Sequence, residues 1–196
     1  MHPNAATLRL AVLPRAGILA DAILVLGGAL FVALAAQISI SLGFTPVPIT
    51  GQTFAVVVVG AALGSIRGAT SLALYLLLGL LGAPVYSEHK HGWHVFSGAT
   101  GGYIVGFVLA ALLIGYLAER GWDKQVSSSV SAMLTGSVVI YLCGNIWLHH
   151  VLHASWNTTL TYGLYPFVPG DIFKLYLAGV ALPAAWKLVQ RVKGAE

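Results

Sequence analysis

Long apolar stretches, each ended by a short polar or turn-forming segment, set the pattern of this chain. No Asp, Glu, Lys or Arg occurs from Ala22 to Ile66, Gly68 to Ser87, His91 to Ala118, Gln125 to Gly170 or Leu175 to Trp186. A helix needs about 20 mostly apolar residues to cross a bilayer, so the first run is long enough for two spans. Within it FTPVPITGQT (Phe44–Thr53), with two prolines and a glycine, marks the turn between them. A second turn-rich stretch, Asn157–Gly170, closes the run that starts at Gln125. The pattern predicts six spans, over Ile18–Leu42, Pro48–Leu63, Gly68–Leu81, Ala99–Leu117, Val126–Leu148 and Gly170–Gln190. The second and third are short. Such segments can be tilted, broken or re-entrant if their free backbone groups are buried in protein or line a cavity. The expected fold class is an all-α integral membrane protein, a single transmembrane domain over residues 1–196 with no soluble domain.

Composition agrees. Charged residues are 8% of the chain and hydrophobic ones 58%, with a mean hydropathy of +0.85. Soluble domains carry roughly 25% charged residues, so a soluble globule and a disordered chain are both excluded. The single Cys143 excludes an internal disulfide framework and Cys-based metal sites. A signal peptide is the alternative for the start, but the run after Arg15 exceeds an h-region and further spans follow.

A net charge of +4 and a pI near 9.3 raise nucleic acid as a partner. The positions of the basic residues answer this. With the N-terminus in the cytoplasm, Arg9, Arg15, Arg67, Arg120, Lys124, Lys187, Arg191 and Lys193 fall inside, Lys90 falls in an outer loop and Lys174 within a span. That is positive-inside bias, so both termini are expected in the cytoplasm and no nucleic-acid partner is needed. There is no G-x-x-x-x-G-K-[ST], so any ATP-driven motion would come from another chain.

Asp171 and Lys174 are the most informative pair. They lie three apart within YPFVPGDIFK (Tyr165–Lys174) and share a face if helical. Ionisable residues at membrane depth mark substrate paths; the alternatives are a helix cap at Asp171 and an ion pair holding the helix. SGATGGYIVGF (Ser97–Phe107) opens the fourth span. Gly101 and Gly102 permit close backbone approach, Thr100 adds a hydroxyl and Tyr103 a ring with a polar tip, which suits a small amphipathic ligand or, equally, helix packing. Thr50, Gln52 and Thr53 follow a Pro-x-Pro and offer neutral hydrogen-bonding groups or a helix cap. The outer loop YSEHKHGWHVF (Tyr86–Phe96) reads as a mobile lid carrying Trp93 and Phe96. His89, His91 and His94, and separately His149, His150 and His153, are candidate metal ligands but read better as interfacial polar residues, so no metal is expected. Ala29 and Ala33 lie four apart on the first span, where small residues allow close packing within the chain or against a partner. G-x-S-x-G, H-E-x-x-H and paired carboxylates are absent, so no enzyme activity is expected.

FTPVPITGQT, LYLLLGLLGAPVY (Leu74–Tyr86), ATGGY (Ala99–Tyr103) and PGDIFK (Pro169–Lys174) together resemble the BioY family, the biotin-specific substrate-binding (S) components of energy-coupling factor (ECF) transporters. The resemblance implies six helices with both ends cytoplasmic in a prokaryotic plasma membrane, and high-affinity capture of external biotin. It also implies a transmembrane coupling (T) protein and two ATPase subunits, with ATP and Mg on those subunits and no cofactor in this chain. Small-residue positions on the first helix typically face the T protein in this family, which points Ala29 and Ala33 to that interface. Two departures stand out: EHKHGWH (Glu88–His94) replaces a loop that is often glycine-rich, and Ala99 stands where the family usually has Pro.

Biotin's chemistry suits the same residues. Asp171 can accept the two ureido N–H groups, and Lys174 can bond the ureido carbonyl or a carboxylate. The apolar rings suit Trp93, Phe96 or Tyr103. The valerate carboxylate needs a donor such as Lys90, a loop histidine or backbone N–H groups. The rival readings are a solitary gradient-driven or facilitative transporter, an S component for another vitamin, and a membrane metalloenzyme.

Overall fold

The computed structural model describes residues 7–13 and 17–194, with side chains to residue 192. Arg15, counted above towards the orientation, and the Lys193 side chain lie outside the described residues. Nine α-helices form among the described residues: Leu8–Val12 (α1), Ile18–Gln37 (α2), Gln52–Leu63 (α3), Ser65–Leu80 (α4), Trp93–Ser97 (α5), Gly101–Glu119 (α6), Val126–Leu152 (α7), Trp156–Gly163 (α8) and Val168–Gly194 (α9).

Four of them, α2, α6, α7 and α9, are long and apolar enough to cross a membrane. The apolar helices α3 and α4 have 12 and 16 residues. At 1.5 Å per residue they reach about 18 and 24 Å, short of a hydrocarbon core of ~30 Å. Where six spans were expected, the structure therefore carries four helices of spanning length and a shorter pair. That pair joins at Gly64, whose φ of +87° is one that glycine adopts without strain. Glu119, from the last turn of α6, accepts hydrogen bonds from the Ser65 N–H and hydroxyl, both at 2.8 Å, and so caps α4.

The middle of the bundle is α6, packed against α3, α4 and α7. Ala110, Ala111 and Ile114 are buried there. Small residues set the spacing, because helices in lipid associate by close packing rather than by hydrophobic burial. A β-carbon on Gly115 would fall 2.3 Å from the Ser65 nitrogen. On the outside, Leu30 and Leu34 of α2, Leu134, Leu142 and Ile146 of α7 and Phe173 of α9 are exposed, apolar faces suited to lipid.

Three features depart from the sequence pattern. Ser39–Ile40 (β1) pairs antiparallel with Ile49–Thr50 (β2), Ser39 opposite Thr50, so α2 ends at Gln37 and α3 starts only at Gln52. A two-residue ladder leaves no alternation to detect. The first half of the stretch read as turns after Asn157 instead folds as part of α8, where Ser155 accepts from the Thr158 N–H at 3.2 Å and Thr159 is fully buried, and turns follow only at 164–167. Ala29 is 1% exposed and packs inside this chain, so it is not available to a partner; the small-residue side of α2 is seated on α4, with Gly28 against Ser71. Ala33 is half-buried against the same core.

The alternating helices bring the ends of α2, α4 and α7 together with the starts of α3, α6 and α9. At the opposite end Asp21 ties Arg9 (2.5 Å) and Arg67 (2.7 Å), and Asp123 accepts from the Trp186 indole N–H at 2.5 Å.

Candidate ligand-binding site

A cavity opens at the end of the bundle where α9 begins, with about 560 Å³ of empty space counting its mouth. Its polar side is Asp171 and Lys174. Both sit in the first turns of α9, which Pro169 can occupy because an N–H there has no helical partner. The positive helix end favours the Asp171 carboxylate, and the i, i+3 spacing brings the Lys174 ammonium to 2.8 Å from Oδ1.

Other elements fix this pair. The Thr53 hydroxyl donates to Asp171 Oδ1 at 3.2 Å and the Tyr141 hydroxyl to Oδ2 at 2.5 Å. Lys174 also donates to the Thr50 carbonyl at 2.8 Å and to Thr53 Oγ1 at 3.3 Å. An ammonium has three N–H donors and a carboxylate about four acceptor positions. All three donors are used and three of the acceptor positions, so a ligand that engages Lys174 must displace a partner, whereas Asp171 can accept one more N–H at once. The ion-pair and ligand readings are therefore compatible: a pair bound to its neighbours borders the cavity.

Of the residues singled out from sequence, Thr50, Gln52, Thr53, Thr100, Tyr103, Asp171 and Lys174 line one cavity. Tyr103 donates to the Gly163 carbonyl at 2.8 Å, and Gln52 donates to the Tyr75 hydroxyl at 2.7 Å while accepting from Thr50 Oγ1 at 2.9 Å. Gly101, Gly102, Trp93, Phe96 and Lys90 lie outside the lining. The two glycines serve packing: a β-carbon on Gly102 would meet that of Trp147 at 2.2 Å. Trp93 stacks at a tilt on Phe96, and Phe96 on Trp147. Lys90 is bound to Glu88 at 2.5 Å. The Lys90 ammonium and the Ser41 hydroxyl hold the Glu88 carboxyl below the usual carboxylate range.

The loop read as a mobile lid is fastened at several points. The Gly92 N–H donates to the Gly79 carbonyl at 2.7 Å and the Tyr86 hydroxyl to the Leu76 carbonyl at 2.8 Å. The aromatic wall was only partly foreseen. Tyr86, Phe107, Tyr141 and Phe167 face the cavity with Tyr103, and Tyr141 meets Tyr103 edge-on with centroids 6.3 Å apart. A hydroxyl inside an apolar run needs a partner, and that was the signal Tyr141 offered. Among the described residues, no three His, Cys, Asp or Glu side chains gather to hold a metal ion. His149 instead stacks on Trp156 at 4.0 Å, and His150 meets His153 edge-on.

Apolar helices of spanning length around an aromatic-walled cavity with an acid–base pair at one side define a membrane-protein pocket for a small amphipathic ligand. The chain belongs to the BioY family, which it matches over residues 5–191. It is similar to the biotin transporter BioY of Rhizobium etli, 38% identical over 159 residues, which span 78% of this chain and 84% of the relative. The biotin transporter BioY of Thermotoga maritima is 37% identical over 149 residues, 76% of this chain and 85% of the relative. Among solved structures, the S-component for biotin from an ECF-type ABC transporter aligns with a TM-score of 0.77 and 27% identity, covering 86% of this chain and 92% of that one.

Proposed function

We propose that this chain is a biotin-capturing S component, one domain over residues 1–196, that crosses the prokaryotic cytoplasmic membrane six times with both termini inside. In this reading α3 and α4 cross as a tilted, protein-enclosed pair. The placement of Arg67, Arg120, Lys124 and Arg191 at the bundle end away from the cavity supports the orientation, because basic residues stay on the cytoplasmic side. The cavity then faces outward.

The observation that carries the ligand is the Asp171–Lys174 pair beside an aromatic wall. A cyclic urea presents N–H donors and a carbonyl on one edge, which a carboxylate and an ammonium match, while fused apolar rings suit Tyr103, Tyr141 and Phe167. A vitamin without an N–H donor on that edge would leave the open acceptor position of Asp171 unpaired and be rejected. The chain performs no covalent chemistry; a T protein and two ATPase subunits with ATP and Mg supply the motion. The exposed side of α2, with Ala33 at its margin, is the face offered to the T protein. The test is uptake of labelled biotin by proteoliposomes holding the chain with and without those partners. ATP-dependent uptake only with the partners is expected. Uptake by the chain alone that collapses with the proton gradient would replace this reading with a solitary transporter.

A further inference from the structure

Gln37, the last residue of α2, reaches the 85–89 turn with both ends of its amide. Nε2 donates to the Ala33 carbonyl of its own helix at 3.0 Å and to the Tyr86 carbonyl at 3.1 Å, and Oε1 accepts from the His89 N–H at 3.0 Å. The turn it holds is an unfavourable one. Glu88 and His89 have φ of 60° and 57°, a conformation that non-glycine residues keep only where the surroundings over-determine it. Tyr86 and Ser87, at the start of that turn, are part of the cavity wall, and Gln37 itself is not.

A continuous set of contacts runs from the ion pair to this amide. Lys174 donates to the Thr50 carbonyl, the Thr50 hydroxyl to Gln52, and Gln52 to Tyr75. Tyr75 meets Tyr86 edge-on with centroids 5.6 Å apart, and the Tyr86 carbonyl accepts from Gln37. Only a side-chain amide of this length offers the donor and the acceptor together: leucine has neither, and an ionised glutamate keeps the acceptor alone.

We propose that Gln37 is a positioning residue that fastens the 85–89 turn to the end of α2, keeps Tyr86 and Ser87 in place as the cavity wall, and so slows escape of the ligand. This rests on the biotin reading of the cavity. The test compares the full chain with Gln37→Leu and Gln37→Glu in nanodiscs, using labelled biotin and an unlabelled chase. Gln37→Leu should release biotin about tenfold faster or more with association changed less than about threefold, the pattern expected when a wall rather than an encounter surface is altered. Gln37→Glu should lie between. General loss of folded protein would lower the bound fraction and leave the release rate of the remaining sites alone. A spin label at exposed His91, placed as cysteine in a Cys143→Ser background, should gain mobility in Gln37→Leu. Release within about twofold of the unsubstituted chain in both variants would overturn the proposal. If the unsubstituted chain bound no biotin, the ligand reading would fall, and the label, which needs no ligand, would still test the fastening: unchanged mobility would refute it.

Discussion

Asp171→Asn removes one charge and almost no volume. In the structure the carboxylate accepts from Lys174, Thr53 and Tyr141 and is 5% exposed. The amide keeps one oxygen and turns the other into a donor: with the oxygen kept on Lys174 and Thr53, the NH2 takes the Oδ2 position, where the Tyr141 hydroxyl can turn to accept but a ligand N–H meets another donor. Loss of one hydrogen bond to a charged group is worth ~1.5–3 kcal/mol, which at 1.4 kcal/mol per decade weakens biotin binding roughly 10- to 140-fold. Folding should suffer less than the 3–5 kcal/mol of a fully buried broken pair, because the Lys174 side chain is 20% exposed and keeps Thr50 and Thr53 as acceptors. Isothermal titration gives the affinity and a thermal melt in the same detergent gives the fold. The double variant Asp171→Asn/Lys174→Met removes the orphaned ammonium as well, and should recover the melt but not the binding. Near-native affinity in folded Asp171→Asn would take the carboxylate out of the ligand site.

Tyr141→Phe removes a hydrogen bond to the Asp171 carboxylate, worth ~1.5–3 kcal/mol as a bond to a charged group, and should weaken biotin by up to roughly 10- to 140-fold in a protein that still melts cooperatively; unchanged titration would show that its bond to Asp171 does not matter for the ligand. Gly102→Val should cost about 1–3 kcal/mol through overpacking against Trp147 and lower the melting temperature, whereas Gly27→Ala, with nothing within 4 Å of the added carbon, should not; equal melts would refute the close contact of α6 and α7. Burial pushes the Asp123 carboxyl, in the loop between α6 and α7, above the usual carboxylate range, against the opposing hydrogen bond from Trp186. A raised folded-state pKa means stability that is complete below the unfolded value of ~3.9 and lost as pH rises through the folded one. The melting temperature should therefore climb on acidification more in the unsubstituted chain than in Asp123→Asn, and identical profiles would refute it.

The long helices α2, α6 and α7 were legible because a charge-free run of spanning length has few other uses, whereas the charge-free run in α9, Leu175–Trp186, is shorter than a span and α9 was read from its apolar character between flanking charges. Their ends were less so. The first span stops at Gln37 because β1 and β2 pair across FTPVPITGQT, a contact set by tertiary placement. Asp171 and Lys174 stood out as charges in an apolar run, and Thr50, Gln52, Thr100 and Tyr103 as polar groups beside turn signals. Phe107 did not, since an aromatic on an apolar helix faces lipid, core or cavity according to rotation that one sequence does not specify; Phe167 sits in the turn before α9, and Tyr141 offered only its hydroxyl. Trp93, Phe96 and Lys90 were placed in the site on loop position and on the match of their rings and charge to biotin's rings and carboxylate. The structure turns that loop by anchors on Gly79, Leu76 and Gln37 that are distant in sequence.

The central claim is that the Asp171–Lys174 cavity holds biotin. Calorimetric titration of the detergent-purified chain with biotin, and with thiamine and riboflavin as controls, tests it most directly. Tight one-to-one binding of biotin alone is the predicted result. No heat and no thermal stabilisation from a folded sample, or equal response to all three vitamins, would contradict it.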